Sequence, residues 1–115
     1  MIGSENPKQL ADFYGKVLQK KPDMDENGFT GYLAGNTFIS IGQHDAVKGK
    51  STNPERMIFF FETKDVQGEF ERVSKIDGAT AVKEPYSPDD TGKFMLATLS
   101  DPDGNYFQLS SPWDA

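Results

Sequence analysis

The sequence predicts an α+β domain made of two copies of a strand–helix–three-strand module, and three observations point to it. Apolar residues at helical spacing occur once in each half: Leu10, Phe13, Tyr14, Val17 and Leu18, then Val66, Phe70, Val73 and Ile76. Each helical segment is followed by short alternating runs bounded by turn residues, the pattern of strands. Between the halves, residues 44 to 55 are polar and contain Gly, Ser, Asn and Pro, which predicts a linker loop.

In the first module, a short apolar start leads to Asn6-Pro7, an N-cap with proline at the first helical position. Lys20-Lys21 suit the C-terminal end of the helix, where the macrodipole is negative, and Pro22 stops it. Asn27-Gly28 is a hairpin signal ahead of a strand from Phe29 to Ala34. Gly35-Asn36 turns the chain into a strand from Thr37 to Ile41. The second module opens on a strand from Arg56 to Glu62, rich in phenylalanine. Asp65 caps its helix, which runs to Asp77-Gly78, and a strand follows from Ala79 to Lys83. Glu84 to Lys93 is predicted as a polar loop, with Tyr86 a loop aromatic. The last strands are Phe94 to Leu99 and Asn105 to Ser110. Ala34-Gly35-Asn36-Thr37-Phe38 in one half matches Asp103-Gly104-Asn105-Tyr106-Phe107 in the other, in order more than in identity. The modules span about 1–45 and 56–112 of a single domain.

Composition excludes several classes. The net charge of −6 and the lack of a basic cluster beyond Lys20-Lys21 argue against nucleic acid as a partner. No apolar run is long enough to span a bilayer, so no membrane partner is expected. The first residues lack the basic and apolar regions of a signal peptide. Without cysteine there is no disulfide, thiolate site or cysteine nucleophile. The expected location is cytoplasmic. No Gly-x-Ser-x-Gly elbow or phosphate-binding Gly-rich loop is present. Asp89-Asp90 and Asp101-x-Asp103 are paired carboxylates, but they sit in turns, where aspartate serves the backbone. No catalytic residue is assigned.

The turn Ser100-Asp101-Pro102-Asp103-Gly104-Asn105 running into Tyr106-Phe107-Gln108-Leu109 resembles the final turn and strand of the vicinal oxygen chelate superfamily. This superfamily is also called the glyoxalase, bleomycin-resistance and extradiol dioxygenase superfamily. The helix segment Ala11-Asp12-Phe13-Tyr14-Gly15-Lys16-Val17-Leu18 and the doubled βαβββ order resemble it too, so the resemblance covers essentially the whole chain. It implies a glyoxalase-like fold in which the two modules form a curved open sheet around a cavity. In the superfamily's metalloenzymes each module supplies one ligand from its first strand and one from its last. Carried over, the first ligand falls ahead of Met1, as for a longer natural protein or a shortened strand. The second falls between Phe38 and Ile41, at Ile39; the third at Ile58; and the fourth at Gln108, where the metalloenzymes usually carry glutamate. A branched aliphatic cannot hold a metal, and an amide is a weaker ligand than a carboxylate. His44 is the only histidine. No metal or other cofactor is therefore expected.

Alternation along the strands then sets the predicted pocket. Ile58, Phe60 and Glu62 share one face, with Met57, Phe59 and Phe61 toward the helix. Gln108 shares a face with Tyr106 and Ser110, with Phe107 and Leu109 toward the core. Ile58, Phe60, Glu62, Tyr106 and Gln108 are the expected ligand-binding residues; Trp113 is expected to cover a core or dimer edge. An aromatic wall with few polar groups and a carboxylate suits a small organic ligand, aromatic or cationic. The expected function is small-molecule binding of the bleomycin-resistance type, in a homodimer whose modules can be exchanged between chains. The alternatives are a metal-dependent lyase, isomerase or dioxygenase resembling glyoxalase, and a regulatory or structural module with an empty cavity.

Overall fold

The computed structural model describes residues 1–113. The chain divides between Lys50 and Ser51 into two compact units. In the first, β1 (Ile2–Gly3) leads to α1 (Pro7–Leu18), β2 (Met24–Glu26), β3 (Phe29–Ala34) and β4 (Thr37–Gly42). The second contains β5 (Phe59–Glu62), α2 (Val66–Ser74), β6 (Thr80–Tyr86), β7 (Leu96–Ser100) and β8 (Tyr106–Ser110). The sheets have equivalent orders, β1-β4-β3-β2 and β5-β8-β7-β6. In each, the first strand runs parallel to the last and the other pairs are antiparallel. The predicted α+β class and doubled βαβββ order are what the chain adopts.

Helix α1 begins with Pro7 at its first position, but the Asn6 side chain does not cap it. The Ser4 hydroxyl, fully buried, accepts from the Asn6 N–H instead. The helix ends earlier than the lysine pair suggests, at Gln19 in the left-handed conformation. Lys20 donates to the Leu33 carbonyl and pairs with Asp23. Asp23 in turn accepts from the Leu33 N–H, and these two contacts hold its carboxyl below the usual range. Leu10, Phe13, Tyr14 and Val17 are buried on the sheet side. Tyr32 of β3 reaches α1, its hydroxyl donating to the Ala11 carbonyl at 2.8 Å.

Asp65 caps α2 as expected, accepting from the Gly68 N–H at 3.0 Å. Val66, Phe70 and Val73 pack inward, whereas Ile76 lies past the helix end. The core of this unit is Phe107 and Leu109 of β8 with Ala97 and Leu99 of β7, all buried. Removing a ring the size of Phe107 from water is worth about 2–3 kcal/mol. Phe59 and Phe61 reach the same core, their rings 6.4 and 6.1 Å from Phe107.

Two expected strand boundaries shift by three residues. The strand from Arg56 begins only at Phe59, so Ile58 precedes it and Met57, expected toward the helix, is 84% exposed. β6 runs three residues past Lys83, which makes Tyr86 its last residue rather than a loop aromatic. Two register shifts against β7, between Ala81 and Lys83 and between Lys83 and Tyr86, allow this. Bulges accommodate a proline such as Pro85 that regular pairing would reject. No described helix is long and apolar enough to cross a membrane.

Candidate ligand-binding face

Each sheet has one face on its helix and one free of it. In the second unit the helix-free face carries Phe60 and Glu62 from β5 and Tyr106, Gln108 and Ser110 from β8. The register fixes this: Phe60 pairs with Gln108 and Glu62 with Ser110, while the Phe59–Phe107 pair points to the core. Across β8, Gln108 also lies opposite Thr98 and Tyr106 opposite Ser100. The expected residues Phe60, Glu62, Tyr106 and Gln108 thus stand on one face; Ile58, half exposed, adjoins it ahead of the strand.

Gln108 donates from Nε2 to the Thr98 hydroxyl at 3.3 Å. Thr98 is buried, and this bond holds the amide across the sheet. Glu62 accepts the backbone N–H of Trp113 at 3.0 Å. Just after β8, Ser111 is tied to Met95, its N–H donating to the Met95 carbonyl and its hydroxyl accepting from the Met95 N–H, and Trp113 follows two residues on. The indole lies 5.8 Å from the Phe60 ring and 4.7 Å from the Phe94 ring. Phe60 remains 42% and Trp113 61% exposed. Phe94, expected as the first residue of a strand, precedes β7, and neither it nor Trp113 was among the expected ligand-binding residues. The available signal was the parallel β5–β8 pair, which brings a segment just after β8 beside β5. At the far edge, on β6, the Lys83 ammonium sits 4.3 Å above the Tyr86 ring.

The corresponding face of the first unit is apolar. Tyr32 faces α1, and Ile39 pairs directly with Tyr32, so Ile39 points to the helix side. That corrects the expected ligand position: Phe38 and Ser40 are the residues of this stretch on the helix-free face. Phe38 lies over Gly31 and Phe29 over Gly42, and a side chain at either glycine would collide with the ring. A separate groove of about 250 Å³ lies between α1 and the β2–β3 hairpin, lined by residues such as Pro7, Lys8, Asp12, Pro22 and Asp25. None of the five expected ligand-binding residues lines it. Asp12 and Asp25 add to the burial that raises the Tyr32 phenol above its usual pKa.

The donors do not fit the metal that the resemblance implies. Position 58 is aliphatic, the helix-free positions of β4 offer Phe38 and Ser40, and position 108 is a neutral amide already bonded to Thr98. Among the described residues no three His, Cys, Asp or Glu side chains stand together to hold a metal ion. His44 is exposed, its Nδ1 accepting from the Ala46 N–H.

A profile of the glyoxalase-like domain matches residues 1–110. The chain belongs to the glyoxalase-like domain family. Solved structures of this superfamily share its fold. A glyoxalase/bleomycin resistance protein from Albidiferax ferrireducens T118 superposes with a TM-score of 0.74 at 21% identity, over 98% of this chain and 95% of that one. For a glyoxalase-related enzyme from Fulvimarina pelagi the values are 0.72, 17%, 96% and 82%. For the fosfomycin resistance protein FosX from Mesorhizobium loti they are 0.63, 18%, 97% and 86%. At such identities the likeness of this glyoxalase-like domain to each is one of fold alone. Among proteins of curated function none matches it.

Proposed function

We propose that this glyoxalase-like domain binds a small organic molecule on the helix-free face of its second unit, without the superfamily's transition metal. One observation carries the reading. Where a metal site needs imidazole and carboxylate, the chain places Ile58 and Gln108, and around them it exposes aromatic rings. Phe60, Tyr106 and Trp113 supply apolar contact area, while the Gln108 amide, held by Thr98, supplies directional hydrogen bonding. Apolar surface with a few fixed polar groups is the usual composition of a small-molecule site.

The reading includes a cytoplasmic homodimer. The absence of cysteine and the acidic charge are compatible with that location, and exposed Phe29, Leu33 and Phe38 give a second copy apolar surface to cover. Sedimentation at micromolar concentration tests the dimer. The binding reading is tested by metal content of the purified protein and a thermal-shift screen of small aromatic and cationic compounds. No retained metal, together with stabilisation that grows with ligand concentration, is expected. About one tightly held metal per chain would overturn the metal-free reading. Stabilisation that survives removal of the Phe60 and Tyr106 rings would move the site elsewhere.

A further inference from the structure

The carboxylate of Glu62 stands on the helix-free face beside an exposed aromatic surface, and among the described residues it has no cationic partner. Among the described residues the ion pairs are Lys20 with Asp23 and Arg72 with Glu69; no lysine or arginine closes on Glu62. Its contact is a neutral one, the Trp113 N–H. Phe60, two residues before Glu62 on the same strand face, and Trp113 present tilted rings at 45° to one another. Phe94 backs the indole edge-on at 61°. A cation of the same face, Lys83, lies three strands away on β6, about 14 Å at the usual strand spacing. That exceeds the screening length at physiological salt. Lys64 and Lys93 are near in sequence, and neither forms an ion pair among the described residues.

We infer that Glu62, Phe60 and Trp113 form a subsite for an organic ammonium ion bearing alkyl groups. Ring faces attract a diffuse, weakly hydrated cation through their quadrupoles, and the carboxylate supplies the formal charge. A small, strongly hydrated ion gains little from rings, and an anion is repelled by Glu62. The aromatic contacts select for methyl or larger substituents over a bare ammonium. The inference rests on the small-molecule reading of this face and names the ligand class.

The chain carries one tryptophan, so emission from Trp113 reports directly on the subsite. Choline is titrated against 3,3-dimethylbutan-1-ol, its uncharged isostere, with sodium chloride holding ionic strength constant. A saturable emission change with choline and none with the alcohol is expected. Glu62→Gln keeps an oxygen to accept the Trp113 N–H while losing the charge. It is expected to keep the resting emission and melting temperature but weaken choline binding about fivefold or more. Trp113→Phe, followed by calorimetry, is expected to weaken it as well. Equal response to choline and the alcohol, no saturation, or unchanged affinity in Glu62→Gln would each overturn the inference. Neutral aromatic compounds screened on the same protein separate the two claims. If they bind through Phe60 and Tyr106 while choline does not, the ligand class falls and the binding face stands; if neither binds, both fall.

Discussion

Replacing Gly15 by alanine is expected to change sign with the identity of residue 32. Gly15 lies within α1, where alanine is favoured over glycine by about 1 kcal/mol. A Cβ there would stand 2.7 Å from the Tyr32 hydroxyl oxygen, with the Lys20 carbonyl and the Tyr32 Cζ at 3.4 Å. The last two are ordinary contacts; the first is not. Tyr32 is 2% exposed and its hydroxyl is bound to Ala11, so the ring has little room to retreat. Displacing it sacrifices a hydrogen bond worth about 1 kcal/mol and strains a packed core by about 1–3 kcal/mol. Gly15→Ala alone should therefore destabilise by about 1–3 kcal/mol. Tyr32→Phe alone should cost about 1 kcal/mol. In the double variant the obstructing oxygen is gone, and the alanine should stabilise by about 0.5–1 kcal/mol relative to Tyr32→Phe. Urea unfolding of the four proteins measures the cycle, with a coupling of about 1.5–4 kcal/mol expected. Additivity within about 0.5 kcal/mol would refute the close approach of Gly15 to the phenol.

Tyr32 also predicts an alkaline limit. Burial foremost, then Asp12 and Asp25, raises its pKa above 10.0, so the folded state holds the phenolic proton longer than the unfolded chain. Its contribution is complete below about pH 10 and is lost as pH rises through the folded value, and Tyr32→Phe should flatten that part of a melting-temperature profile. Asp101 is buried, and its Oδ1 accepts from the N–H groups of Asp103 and Asn105. Asp101→Ala should cost about 2–4 kcal/mol by chemical denaturation and Asp101→Asn clearly less, because an acceptor oxygen survives; equal losses would contradict a backbone-organising role. Gln108→Glu restores the carboxylate of the superfamily's metalloenzymes, yet calorimetry should show no saturable zinc or manganese binding, since one carboxylate is too few donors. Tight binding would sink the metal-free reading.

The order of elements was legible because it rests on strong local signals. Helical apolar spacing, Pro7, Asp65 and the glycine turns all lie where the structure uses them. The facing of β5 and β8 was legible too, since strict alternation over Phe59–Glu62 and Tyr106–Ser110 needs one correct anchor. The facing of β4 was not. The match between the two Gly-Asn turns aligns Phe38 with Phe107 and Ile39 with Gln108. In the structure Phe38 lies on the helix-free face and Phe107 in the core. The turn lengths differ: Ala34 pairs with Thr37 across two residues, whereas Ser100 pairs with Tyr106 across five. Paired residues share a face, so the facing follows the residue on which the preceding strand ends: Ala34 stands on the side of Tyr32 and Ser100 on the side of Thr98, and that one-residue difference reverses every side chain after the turn. Trp113 against Phe60 was invisible for another reason, because a contact between residues 53 apart in sequence depends on the β5–β8 pairing.

The bulged course of β6 bears on how this protein avoids uncontrolled self-association. β6 is an outer strand of its sheet, with one side unpaired within the unit. A regular outer strand is a template on which another chain can polymerise. Here two breaks in register, a proline that lacks a donor and the charge of Lys83 make the ribbon a poor match for an incoming straight strand. Growth of a fibril by edge addition is thereby discouraged on this side. Any association of this sheet through its backbone is directed to the opposite margin, β5, next to Phe60 and Glu62.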